Sequence, residues 1–143
     1  MPVSLEDRRH EAQLAFVASG EDLVVGSLEG LPWTAAQLAA TRGDEAHVVQ
    51  RIDSGLTAVV FRLRGEDHDW TVKRARPQAR VQNVDGQTSF LNEVQRRADL
   101  EALKRQPGGR ARWAALVDTR YASFRHGLML SPWIEGEPVR DWD

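Results

Sequence analysis

Four basic residues, Lys73, Arg74, Arg76 and Arg80, fall close together near the middle of the chain. Side chains of that type and spacing bind oxyanions, whether on a phosphate, a nucleic acid or an anionic lipid. The lysine differs from its neighbours in kind. The chain has 17 arginines but only two lysines, Lys73 and Lys104. An ammonium is a compact, strongly hydrated point charge, whereas a guanidinium is a planar fork, so a lysine among arginines marks a position where that difference counts. The charge is also unevenly spread behind a net value of −2. Residues 1–50 hold eight acids against Arg8, Arg9 and Arg42, while residues 51–143 hold 16 basic and 13 acidic residues.

Other chemistries find less support. His10, His47, His68 and His126 are scattered without metal-ligand spacing. The chain has no cysteine, which excludes disulfides and thiolate metal sites. Ser54-Gly55 lacks the flanking glycine of a nucleophile elbow. The arginines lack aromatic interleaving or a recognition-helix pattern, so nucleic acid is not an expected partner.

The composition, 41% hydrophobic and 28% charged over 143 residues, is that of about one globular domain. No apolar run approaches the ~20 residues of a membrane span. Charged residues crowd Met1 to Gly20, unlike a secretory leader. The cytoplasm is the expected compartment.

The elements that must position these residues follow from local pattern. Ser4-Leu5-Glu6-Asp7 reads as a capped helix start, with Leu14, Phe16 and Val17 as a weak apolar stripe. Leu23-Val24-Val25 is a short strand candidate ending at Gly26. Thr34 caps a second helix through Ala40. Residues 1–46 are therefore expected to form a small helical N-terminal extension, and residues 47–143 a second unit. That unit begins with Val48, Val49 and Ile52, then the turn Asp53-Ser54-Gly55. Thr57 to Leu63 and Trp70 to Lys73 supply two more strands rich in β-branched and apolar residues, making an antiparallel meander. Phe90 through Lys104 carries a broad apolar helical face and stops at Pro107-Gly108-Gly109. Trp113 to Val117 and Leu128 to Leu130 read as a fourth and a fifth strand. The expected fold class is α+β: five antiparallel strands with one long packed helix.

These residues resemble the protein-kinase-like superfamily from about Val48 to Gly136, closest in flavour to the bacterial lipopolysaccharide-core (Kdo) kinases. Asp53-Ser54-Gly55-Leu56-Thr57-Ala58-Val59-Val60-Phe61 is similar to the glycine-rich loop that folds over a triphosphate. Gly55 matches one of its glycines, and Asp53 and Ala58 stand at the other two. Lys73 resembles the strand lysine that grips the α- and β-phosphates, and Glu93 the helix acid that pairs with it. Arg97 stands where the family has an apolar residue, and Glu101 is the rival for the acid's role. Leu128 to Gly136 is similar to the fifth strand and hinge, with Ser131 at the gatekeeper position and Trp133 and Ile134 flanking the adenine.

The resemblance implies a nucleotide-binding N-terminal lobe with the fold just described, holding ATP through Gly55, Thr57, Val60, Lys73, Glu93, Trp133 and Ile134. Neither an H-R-D-x-x-x-x-N loop nor a D-F-G segment occurs in the sequence. No catalytic residue is therefore expected in this chain, and magnesium is expected only together with a missing catalytic lobe. The expected partners are ATP and that lobe, or a protein that replaces it. A free lobe would expose an apolar face and is expected to dimerise through it. The alternative is a non-catalytic, kinase-like regulatory module.

Overall fold

The computed structural model describes residues 4–53, 58–76, 80–81, 84–113 and 118–134. Helix α1 (Leu5–Ser19) opens at Ser4, whose hydroxyl accepts from the Asp7 amide at 3.0 Å, and ends at Gly20 with φ 79°. A short strand β1 (Val24–Gly26) follows. Helix α2 (Ala35–Ala39) is closed by a capping box between Thr34 and Gln37.

Strands β2 (Val48–Ile52), β3 (Ala58–Leu63) and β4 (Trp70–Ala75) pair antiparallel in succession, with Phe61 opposite Val72. A small two-stranded ribbon, β5 (Arg80–Val81) with β6 (Val84–Asp85), leads into the long helix α3 (Gly86–Arg105). Helix α4 (Gly109–Trp113) and strands β7 (Tyr121–Ser123) and β8 (Leu128–Pro132) complete the described residues. The main sheet runs β1-β7-β8-β4-β3-β2. Strand β8 therefore lies beside β4, and α3 carries the chain across the sheet between them.

The antiparallel sheet and the α+β class agree with the sequence reading, but the sheet has six strands rather than five. The sixth is β1, which pairs with β7 along one edge. Gly26 makes this close approach possible. Its φ is 67°, and a β-carbon there would collide with the Arg120 carbonyl. The expected strand from Trp113 to Val117 is also corrected. Trp113 ends α4, residues 114–117 lie outside the described residues, and the strand beside β8 is Tyr121–Ser123. It joins β8 through the tight turn Phe124–Gly127, where Gly127 has φ 66°.

Strand alternation divides the core into two layers. On one face Val59, Phe61, Leu63, Trp70, Val72, Leu128 and Leu130 pack under Leu38 of α2, with Leu28, Leu31 and Trp33 around them. On the other, Val25, Ala122 and Met129 meet Phe90, Leu91 and Val94 of α3, together with Phe124. The first 46 residues thus place one strand in the sheet and one side chain at the centre of a core layer. Helix α1 sets Phe16 and Val17 against this second layer, and its buried Gln13 donates to Asn92 and Gln95 of α3.

Candidate functional site

The alternation that buries Trp70 and Val72 turns Thr71 and Lys73 to the α3 side of the sheet. Helix α3 covers the β1, β7 and β8 part of that side. The part formed by β3, β4 and the end of β8 stays open as a cavity of about 270 Å³. Val60 and Met129 give it apolar walls, Thr71 and Ser131 hydroxyls, and Lys73 and Arg97 positive charge. Pro132, Trp133 and Ile134 close one side.

Lys73 and Glu93 are brought together. The ammonium donates to Glu93 Oε2 at 2.7 Å, and the two side chains are 33% and 27% exposed. Val60, Lys73, Trp133 and Ile134 line the one cavity, and Glu93 joins it through Lys73. Gly55 and Thr57, from the same set of sequence candidates, lie outside the described residues. Glu101 is not the partner of Lys73: it accepts from the Thr119 amide at 3.0 Å and lies 3.6 Å from Lys104.

Trp133 is held from below by the β3–β4 turn. Its amide donates to the Asp69 carbonyl at 2.9 Å, and the Arg62 guanidinium lies 4.7 Å from its ring centre. Arg62 also donates to Asp69 Oδ2 at 2.7 Å. That hydrogen bond chiefly, aided by the Gly65 amide, holds the Asp69 carboxyl below the usual aspartate range. The indole nitrogen of Trp133 is buried and has no hydrogen-bond partner among the described residues.

The basic cluster divides. Arg74 donates to the carbonyls of Ala39 and Thr41 and lies 5.6 Å from the Phe61 ring centre, so it ties α2 to the sheet. Arg76 pairs with Asp53, whose carboxylate also lies 3.2 Å from Arg51. The Arg80 side chain is outside the described set. Lys73 alone of the four lines the cavity with its charge beside an acid. Arg97 lies beside Glu93 on the helical wheel, but the sequence reading gave it no role in binding. The signal that could have found it is its spacing, one helical turn beyond Glu93 and so on the same face.

A larger cavity of about 580 Å³ opens near the β3–β4 turn between Trp33, Trp70 and residues 64–68. It contains none of the candidate binding residues, and the cations and acids of its described lining form no ion pair with one another. The smaller cavity has the chemistry of a binding site. An ammonium oriented by Glu93 sits beside an apolar wall, which suits a ligand with an anionic part and a planar part. Its described lining holds no carboxylate or imidazole to take a proton, and Glu93 is engaged by Lys73.

No protein-family model, curated protein or solved structure matches this chain.

Proposed function

We propose that this chain is the nucleotide-gripping N-terminal lobe of a kinase-like phosphotransferase. In this reading it holds ATP for transfer to a sugar or protein hydroxyl, and a second lobe outside these residues carries out the transfer. The observation that carries it is the Lys73–Glu93 ion pair at 2.7 Å, bordering a cavity walled by Val60, Trp133 and Ile134. An acid that fixes a strand lysine keeps the ammonium aimed, as an α- and β-phosphate grip requires. The base would lie between Val60 and the Trp133-Ile134 segment. At about 270 Å³ the cavity falls short of the ~300–1,000 Å³ typical of a complete ligand site, as one wall of a two-walled cleft would.

In this reading magnesium comes with the second lobe. Among the described residues no group of three histidine, aspartate or glutamate side chains is placed to hold a metal ion.

One observation favours the second reading, a non-catalytic docking module. Asp53, at the start of the segment similar to a phosphate loop, pairs with both Arg51 and Arg76. It engages two guanidiniums that a triphosphate would otherwise be able to use.

Calorimetric titration with ATP, with and without magnesium, on the wild type and on Lys73→Ala separates the two. Saturable binding that the variant loses supports the nucleotide lobe. Absence of binding by both proteins leaves the docking module.

A further inference from the structure

Helix α3 advances along β4 in step with the strand. Gln87 and Phe90 share a small cavity with Ala75, Glu93 meets Lys73, and Arg97 lines the cleft with Thr71. One turn of helix, ~5.4 Å, matches two residues of strand, ~6.6 Å, so each α3 residue of this series stands over one rung of the sheet. Glu93 stands over the rung Lys73–Met129. Arg97 stands over the next, Thr71–Ser131, whose two residues are directly opposed in register. Opposed residues project their side chains to the same face, with β-carbons ~4.5–5.5 Å apart. Two opposed hydroxyls and a guanidinium thus line the same cavity.

The two rungs differ in charge balance. Lys73 is neutralised by Glu93. The side chains of Arg97, Thr71 and Ser131 have no hydrogen-bond or ion-pair partner among the described residues, although all three are partly buried. A half-buried guanidinium without an anion has lost part of its hydration and gained nothing in return. The planar fork fits a carboxylate or phosphate bidentately, and hydroxyls donate to the same oxygens.

We propose that Arg97, Thr71 and Ser131 form an oxyanion-binding subsite, one helical turn beyond Lys73, that takes a carboxylate or phosphate group of the ligand. It lies in the cleft of the nucleotide reading but does not require the ligand to be a nucleotide. It makes the cleft a reader of two features, a group held at Lys73 and a second oxyanion held at Arg97.

The test is a nuclear magnetic resonance titration of the full chain with inorganic phosphate and, separately, with acetate, following the Arg97 Nε–H and the Ser131 amide. Saturable shifts are expected in the wild type and in Lys73→Ala. Arg97→Ala is expected to weaken the anion by roughly tenfold or more, the scale of a lost charge-assisted hydrogen bond. Arg97→Lys keeps the charge without the fork, perturbs packing least, and is expected to fall between. Phosphate alone shifting these groups assigns a phosphoryl group, and acetate alone a carboxylate; either supports the subsite. Equal affinity in the wild type and both Arg97 variants overturns it. So does binding that Lys73→Ala abolishes and Arg97→Ala retains, or the absence of saturable shifts with both anions. A failed ATP titration would remove the nucleotide reading and leave this subsite standing, because neither anion carries a base.

Discussion

Lys73 and Glu93 belong to different elements, a strand and a helix, and meet at 2.7 Å across an open cleft. Both side chains keep a quarter to a third of their surface exposed, so the pair adds little to stability after screening. Its effect is orientation. Glu93→Gln is expected to change unfolding free energy by less than about 1 kcal/mol in a urea titration. The same substitution should weaken ATP severalfold by calorimetry, because the ammonium is no longer aimed. A large stability loss with unchanged ATP affinity would make the pair a structural strut.

Helix α1 has no basic residue in its last turn, and the missing cation comes from far along the chain. The Arg125 guanidinium donates to the carbonyls of Phe16 at 2.9 Å, Val17 at 3.0 Å and Glu21. Arg125→Ala should cost about 1–3 kcal/mol and raise hydrogen exchange in α1 more than in the sheet. Arg125→Lys should recover only part of this, since one ammonium cannot span three carbonyls. Uniform loss of protection across the molecule would show that α1 is not separately fastened.

Leu38 is fully buried against Phe61, Val72 and Leu130. Truncation to alanine should cost about 2–5 kcal/mol in denaturant midpoint analysis. A cost below ~1 kcal/mol would mean that the segment around α2 rests on the sheet without being part of its core.

Asp69 gives a pH dependence with a definite sign. Its carboxyl lies below the usual range because Arg62 donates to it. The unfolded chain binds its proton near the ordinary value of ~3.9 and the folded chain only below that, so the contribution to stability is present above pH ~4 and lost as pH falls through the folded value. Glu45, held at about 2 by the Arg42 and Gly43 amides, acts with the same sign. In Asp69→Asn the acid-side loss of stability should shrink without vanishing. Trp133 fluorescence at pH 7 should shift as well, because Arg62 loses the anchor that keeps it over the indole. An unchanged acid limb and an unchanged emission spectrum would detach Asp69 from this segment.

The parts of the fold legible in the sequence were those fixed by near neighbours. β3 and β4 carry their own alternation, and α3 its own apolar face and glycine stop. Lys73 and Glu93 were matched through the kinase-like resemblance, with which the helical phase of Glu93 is compatible. β7 was not legible. Tyr121-Ala122-Ser123 has no β-branched residue, and its burial comes from β8 and β1 rather than from its own composition. The stretch beginning at Trp113 looked more like a strand, yet Gly109 to Trp113 closes into a turn of helix behind Gln106. β1 could be seen as a strand but not placed, because nothing local names a partner at the other end of the chain. In the cleft, Lys73 was visible by type, whereas Arg97 needed the sheet beneath it before its position had meaning.

The edge pairing of β1 with β7 also orders events in time. Val24 lies opposite Ser123, so β1 has no strand to pair with in the sheet until β7 has followed it from the ribosome. The β3–β4 hairpin needs only a short loop to close, whereas β1 must close a loop spanning most of the protein. Pulse-labelled exchange during refolding should therefore protect Phe61 and Val72 before Val25. Until β7 arrives, the backbone amides and carbonyls of β1 have no strand to pair with, and a nascent chain halted before Tyr121 would leave Val25 with α3 as its packing surface but without its ladder.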